Sequence, residues 1–141
     1  MKPIGYWLNR TDQALTRHMD ALLEEYGLTR LTWQVLNVVR SAPGTADAAV
    51  AAALAAGADP AALAAAVHTV LADGWTTRPA PGLLALTSEG DARLAVVTER
   101  VAVFREEVIA GISLKEYGTA VRVLERMTRN LEGAPVAAWT D

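Results

Sequence analysis

The stretch TADAAVAAALAAGADPAALAAAVHTVLADGWTTRPAPGLLALTSEG, residues 45–90, determines the predicted fold of this chain. Val50 and Leu54 indicate a first apolar helix, and a Gly-Ala break separates it from a second helix. The second helix is predicted to begin at Asp59-Pro60, because an acidic N-cap followed by proline suits a first turn. It is predicted to end at Asp73-Gly74, since glycine is the commonest residue just past a helix.

A short β-hairpin is predicted after these two helices. Residues 75–78 and 83–86 are rich in aromatic, branched and apolar side chains, and both segments can form strands. The turn sequence Pro79-Ala80-Pro81-Gly82 lies between them. The whole stretch therefore predicts a winged helix-turn-helix.

Amphipathic helices are predicted on both sides of this stretch. They run from Pro3 to Tyr26, from an N-cap at Thr29 to Arg40, from an N-cap at Thr87 to Gly111, and onward from an N-cap at Ser113. One small lobe cannot cover the apolar stripes of the first and last two helices, so we expect a homodimer formed by these helices. The stripes are Leu8/Leu15/Met19, Leu94/Val101/Val108 and Val121/Leu124/Leu131.

Composition restricts the classes of function. The chain has 141 residues, a net charge of −3 and a pI of about 5.4, which argues against a strong nonspecific nucleic-acid footprint. It contains no cysteine, which excludes disulfides and thiolate chemistry. No long uncharged apolar run and no signal peptide are present, so we expect a cytoplasmic protein without a membrane partner.

No sequence motif indicates a reaction. The chain lacks HExxH, a Walker-type phosphate loop, GxGxxG after a strand and GxSxG. Its two histidines, His18 and His68, have no carboxylate at a spacing typical of a metal site. We therefore expect no metal, no cofactor and no catalytic residues, and an enzyme is the less favoured interpretation.

The chain resembles the MarR-type winged-helix transcriptional regulators over nearly its whole length. The resemblance implies a mainly α (α+β) fold: a winged helix-turn-helix lobe with a short β-hairpin wing, plus N- and C-terminal dimerisation helices. The implied domains are dimerisation helices at 1–26 and 87–133, the lobe at 27–86 and a flexible tail at 134–141. The motifs that carry the resemblance are Gly27-Leu28-Thr29 with Trp33, Val35 and Leu36; Ala42-Pro43-Gly44-Thr45; Leu71-Ala72-Asp73-Gly74-Trp75; Leu86-Thr87-Ser88-Glu89-Gly90; Gly111-Ile112-Ser113; and residues 124–131.

The predicted recognition helix departs from that family. Bases are contacted by polar side chains and phosphates mainly by Lys and Arg, yet residues 41–77 contain neither Lys nor Arg. The wing lacks the arginine that family wings usually carry at their tip. The candidate DNA-binding residues are Arg78 at the wing base, His68, Arg40 and Arg30. Outward positions of the second helix are predicted at Pro60, Ala61, Ala62, Ala64, Ala65 and His68.

A ligand site is predicted from the first helix. An offset of 11 residues at about 100° each places Trp7 and His18 on one helical face, together with Thr11. The resemblance implies a pocket where dimerisation helices meet the lobe, which adds Trp33 as a candidate. Such a pocket suits a small aromatic or apolar ligand. The alternative is that Trp7, His18 and Trp33 only fill the core or a subunit interface.

Three functions are compatible with the sequence. The first is a dimeric MarR-like regulator that binds DNA and responds to a small aromatic or apolar ligand. The second is a MarR fold that has lost DNA binding and serves as a small-molecule-binding protein or a cofactor-free enzyme. The third is an adaptor that binds a protein partner through its alanine-rich face.

Overall fold

The computed structural model describes residues 1–42 and 44–133. The predicted flexible tail at 134–141 lies outside the described residues. Within them the chain divides into two compact units, one from Met1 to Val101 and one that starts at Ala102. The elements are α1 (Ile4–Glu24), α2 (Arg30–Ser41), β1 (Thr45–Ala46), α3 (Asp47–Leu54), α4 (Pro60–Ala72), β2 (Thr76–Thr77), β3 (Leu83–Leu86), α5 (Ser88–Val108) and α6 (Leu114–Glu132).

Helix α2 is the centre of the first unit and packs against α3, α4 and β3. Its residues Val35, Leu36 and Val39 are buried, as the predicted apolar stripe requires. Burial of aliphatic side chains of this size stabilises the fold by about 1.5–3 kcal/mol each. The partners in this core are Val50, Leu63, Ala66, Val70, Trp75, Leu84, Leu94 and Val97.

The sheet has three strands in the order β1-β3-β2, and both pairings are antiparallel. Strands β2 and β3 form the predicted hairpin, with Thr76 opposite Leu86. Strand β1, in which Thr45 pairs with Leu84, was not predicted. The sequence hides it because its two residues lack any periodicity of their own. The winged helix-turn-helix lobe is thus confirmed, with one strand more than expected.

The junction between α4, β2 and α5 is closely packed. The Thr87 hydroxyl donates to the carbonyl oxygen of Gly74 at 2.8 Å and accepts a hydrogen bond from the Gly90 backbone N–H at 2.8 Å. Gly90 lies so near the Trp75 carbonyl that an added Cβ would be 2.0 Å from its oxygen. Gly74 has φ +80°, which glycine adopts without strain. These contacts explain the Asp-Gly-Trp and Thr-Ser-Glu-Gly motifs.

The helix ends follow the predicted caps. Thr29 forms a capping box with Thr32, the Asp59 carboxylate accepts from the Ala62 backbone N–H at 2.8 Å, and Ser113 forms a capping box with Glu116. The Ser113 backbone N–H, and then its hydroxyl, lower the pKa of the Glu116 carboxyl below its ordinary value. Each cap satisfies backbone donors that the first turn would otherwise leave without partners.

Much of the predicted apolar stripe on α1 is exposed in the single chain. Leu22 and Leu23, near its C-terminal end, are buried, whereas Ile4, Leu8 and Leu15 are exposed. Among the helices of the described residues, none combines the length and the apolar character that a membrane span requires.

Candidate nucleic-acid interface and ligand site

The outward side of α4 carries the small side chains that the sequence predicts. Pro60, Ala61, Ala62, Ala64, Ala65 and His68 are all exposed. Thr69 is also exposed on this helix and was missed, and its hydroxyl donates to the Ala65 carbonyl oxygen at 3.0 Å. Alanine methyl groups can contact a thymine methyl but offer neither a donor nor an acceptor to a base.

Arg78, the favoured DNA-binding candidate, is held by two partners inside the lobe. Its Nη1 donates to Asp47 Oδ1 at 3.0 Å and to the Leu83 carbonyl oxygen at 3.2 Å. The Arg78 and Asp47 side chains are 36% and 45% exposed, so the ion pair lies at the surface. Sequence analysis missed Asp47, because 31 positions separate the two residues in the chain.

The other candidates for DNA binding are spread over the first unit. Arg40, at the end of α2, donates to Thr98 Oγ1 at 2.8 Å and to Asn37 Oδ1 at 2.9 Å. Arg30 and His68 are exposed, on α2 and α4 respectively. The structure therefore places these three residues on two helices.

Arg93, on α5, stabilises the α4–β2 junction. Its guanidinium carbon lies 3.8 Å from the centroid of the Trp75 ring, and its Nη1 donates to the Asp73 carbonyl oxygen at 3.2 Å. A cation over an indole face at this distance is attracted by the ring quadrupole. A cleft of about 330 Å³ beside this pair is lined by Glu25, Tyr26, Trp75, Arg93 and Val96.

Three of the ligand candidates lie on the exposed surface of α1. Trp7 is 51% exposed and packs edge-on against Tyr6, with ring centroids 5.1 Å apart. Thr11 and His18 are exposed, one and three turns further along the helix. A groove on α1 is lined by residues other than these three: Asp12, Gln13, Thr16, Arg17, Asp20, Ala21 and Glu24.

Trp33 differs from the other ligand candidates because it is partly enclosed on α2. Its side chain is half-buried, and its Nε1 is fully buried without a hydrogen-bond partner among the described residues. A buried donor left without a partner costs about 1–3 kcal/mol. A ligand oxygen could meet this N–H only if the side chains that cover it moved.

No group of three or more His, Asp or Glu side chains within residues 1–42 and 44–133 is arranged to hold a metal ion. Elsewhere on the lobe, a second cleft of about 330 Å³ lies beside the first turn of α5. Its lining residues are Val39, Arg40, Ala85, Leu86, Thr87, Ser88 and Asp91. Both clefts near the lobe thus include an arginine.

The order of the helices and the hairpin shows that this is a winged helix-turn-helix protein. No protein-family model matches the sequence, and a search of the curated proteins gave no match, so the likeness to known proteins lies in the structure. At that level the chain has the MarR-type winged-helix fold. The structural likeness supports a MarR-like regulator.

Three solved structures illustrate this likeness. The Mycobacterium tuberculosis MarR family protein Rv2887 in complex with DNA has a TM-score of 0.71 and 25% identity, over 90% of this chain and 98% of that one. The reduced form of MarR from E. coli has a TM-score of 0.70 and 22% identity, over 90% and 94%. The transcriptional repressor CouR bound to p-coumaroyl-CoA has a TM-score of 0.72 and 22% identity, over 90% and 92%.

Proposed function

We propose that this protein is a MarR-like dimeric regulator that binds DNA through its winged-helix lobe and responds to a small aromatic or apolar ligand. The observation that carries the proposal is the intact lobe: α4 is capped at both ends, exposes its outward side and lies next to a formed hairpin. Rv2887, whose fold is similar, has been solved in complex with DNA.

DNA binding by this lobe is weak and depends on shape more than on base contacts. An α-helix fits the major groove, and a narrow alanine-lined helix can approach the groove floor closely. Affinity comes mainly from phosphate neutralisation, and the arginines at hand are Arg30, Arg40 and Arg78 of the lobe and Arg93 on α5 beside it. With two to four arginines per site at a slope of about −0.9 each, salt dependence is shallow.

An electrophoretic mobility shift with the DNA upstream of the protein's own gene tests this function. The experiment is run at low and at physiological salt, with an unrelated duplex of the same length as a control. Retention of the upstream duplex at low salt, with a modest loss at physiological salt, supports the regulator. Absence of any shifted band at low salt contradicts it.

The dimer is supported by apolar faces that the single chain leaves exposed. In the first unit, Ile4, Trp7 and Leu8 on α1 are exposed. In the second unit, α6 has no buried residue, and Leu114 is 83% exposed. Apolar surface of this extent on separate helices marks an association surface. The exposed apolar residues along α6 are Leu114, Tyr117, Val121, Val123 and Leu131.

Sedimentation at micromolar concentration tests the dimer, and we expect an interface above about 2,000 Å² in total. A charge on the exposed line of α6, as in Val121→Glu, is expected to shift the protein toward monomer. Thr119→Glu is the control for the added negative charge, because Thr119 is exposed on the opposite side of the same helix. A monomeric wild-type protein contradicts the proposal.

The ligand part of the proposal rests on Trp33. Its buried Nε1 has no partner among the described residues, so a ligand oxygen that reaches it when the surrounding side chains open would gain a hydrogen bond, and the ring would supply an apolar wall. Rv2887 has been solved with p-aminosalicylic acid and CouR with p-coumaroyl-CoA, and both compounds combine an aromatic ring with acceptor oxygens. Trp7, Thr11 and His18 remain the further candidates on α1.

Calorimetric titration with p-aminosalicylic acid tests this site. Trp33→Phe keeps an aromatic ring, removes the donor and is smaller than indole, so binding should weaken by at least the about 0.5–1.5 kcal/mol of one hydrogen bond. Trp7→Phe is tested in parallel, because Trp7 is the other tryptophan among the candidates, and weaker binding in that variant alone would place the site on α1. Equal binding by wild type and Trp33→Phe removes Trp33 from the site.

A second candidate function is a small-molecule-binding protein without DNA binding. It is favoured by the engagement of the arginines near the lobe surface: Arg78 is paired with Asp47, and Arg40 is bonded to Asn37 and Thr98. The mobility shift and the calorimetric titration separate the two candidates. A protein with the second function would bind p-aminosalicylic acid and shift no duplex.

A further inference from the structure

Asp47, the first residue of α3, makes two hydrogen bonds to the wing. The Asp47 backbone N–H donates to the Gly82 carbonyl oxygen at 3.0 Å, and the Asp47 carboxylate accepts from Arg78 at 3.0 Å. Strand β1 directly precedes Asp47 and pairs with β3 of the wing, so the backbone fixes where this carboxylate lies. The ion pair is thus built into the strand register.

The Asp47 carboxylate binds one of the donors on Arg78 that a DNA phosphate would use. A guanidinium binds carboxylates and phosphates with the same fork of donors, so one anion on Nη1 excludes another at that atom. The ion pair has no net charge, and residues 41–77 contain no Lys or Arg whose charge could replace that of Arg78. A wing held in this state presents no net positive charge at its base.

We propose that Asp47 is an intramolecular competitor that lowers the DNA affinity of the lobe by neutralising Arg78. The inference rests on the proposed DNA-binding function and assigns a regulatory residue to that interface. Because both side chains are substantially exposed, the ion pair costs the lobe at most the contribution of Arg78, and the other arginines of the proposed interface are unaffected. Asp47 therefore reduces affinity without abolishing it.

Asp47→Asn tests this inference, since the amide keeps the size of the side chain and removes its charge. Binding to the upstream duplex is measured by fluorescence anisotropy over a range of salt concentrations. The freed Arg78 should steepen the slope by about 0.9 per lobe. Affinity at fixed low salt should rise by about fivefold per lobe at most, because an exposed ion pair contributes no more than about 1 kcal/mol.

Removal of any negative charge raises affinity for DNA to some degree, so the coupling to Arg78 must be isolated. In a double-mutant cycle, Asp47→Asn should raise affinity in the Arg78→Ala background by no more than Asp59→Asn does. Asp59→Asn is the matched control, because it removes the same charge from the lobe and asparagine also caps a helix. Its effect should persist when Arg78 is absent.

Each pattern of results decides between the proposals. An unchanged slope for Asp47→Asn, or an equal gain in the Arg78→Ala background, overturns the role of Asp47 while DNA binding by wild type stands. A steeper slope for Asp47→Asn that is lost in the Arg78→Ala background supports it. If neither protein binds any duplex at low salt, the proposed function and the role of Asp47 both fail.

Thermal unfolding of each variant shows whether the lobe is intact. Asp47→Asn leaves the bond from Arg78 to the Leu83 carbonyl oxygen and the backbone bond to Gly82 in place. We therefore expect the hairpin to persist in this variant. A gain in DNA binding by a folded variant then reports on charge alone.

Discussion

The inward and outward sides of α4 are built in different ways. The inward side ends at a closely packed junction just beyond the C-terminus of α4. This junction is formed by Trp75, Thr87 and Gly90. The outward side carries alanines, His68 and Thr69, and most of its surface consists of methyl groups. The residues that position the recognition helix are thus distinct from those that would contact DNA, and each set can be altered separately.

Gly90→Ala is expected to have the largest effect, because it breaks the inward side. An added Cβ would lie 2.0 Å from the Trp75 carbonyl oxygen and 2.7 Å from its carbon, so β2 or α5 must move. We expect a loss of about 3 kcal/mol or more in the free energy of unfolding, measured by urea denaturation. Gly57→Ala is the control, since its Cβ meets nothing within 4 Å. Equal midpoints for the two variants would show that the junction is less constrained than the distances indicate.

Thr87→Val sharpens the comparison by removing one hydroxyl from the junction. The substitution keeps the shape and deletes the donor to Gly74 and the acceptor for Gly90. We expect a loss of about 1–3 kcal/mol in the free energy of unfolding. Thr69→Val removes an exposed hydroxyl from the outward side of α4 and should change stability by less than about 0.5 kcal/mol. The same urea titration measures both, and a larger effect at Thr69 would reverse the comparison.

Ala64→Arg tests whether the outward side can change without the inward side. Ala64 is exposed on α4, so stability should change by no more than about 0.5 kcal/mol. The new guanidinium should steepen the salt dependence of DNA binding by about 0.9 per lobe. Ala64→Gln, which adds length without charge, is the control in the anisotropy measurement. A slope that stays the same with arginine would place Ala64 outside the interface.

Glu116→Gln is expected to have the smallest effect, at the exposed cap of α6. Hydrogen bonds from Ser113 lower the folded-state pKa of Glu116, so its ionised form stabilises the fold above the ordinary pKa of glutamate. That contribution is lost as the pH falls through the lowered folded-state pKa. The melting temperature of Glu116→Gln should therefore be below that of wild type at pH 7, and the two should converge at acid pH, once the pH has fallen below the lowered pKa of Glu116. A constant difference at both pH values would exclude a role for the charge.

Several elements could be predicted from local sequence because their signals lie within a few residues. The caps at Thr29, Asp59, Thr87 and Ser113 were found, since each cap bonds to a backbone N–H three residues ahead. The alanine-rich outward side of α4 was found because a helix repeats its faces at fixed spacing. The predicted domain boundaries and the candidate ligand residues on α1 remain predictions.

The contacts that were missed join residues far apart in the chain. Strand β1 has two residues and forms only because β3 offers an edge. Arg78 was chosen as a DNA contact because it is the one cation at the wing base, and nothing near it in sequence reveals its partner. Trp33 gave no sign in sequence that its Nε1 would be buried without a partner.

The sequence alone determined that this chain forms a winged helix-turn-helix with amphipathic helices on either side, because periodicity, caps and turns act over one or two helical turns. It also determined that α4 contains no Lys or Arg, since composition does not depend on folding. Only the tertiary structure decided the state of Arg78, because a surface ion pair depends on which backbone segments meet. The register of β1 against β3 brings Asp47 to the wing, and that register is a property of the folded lobe.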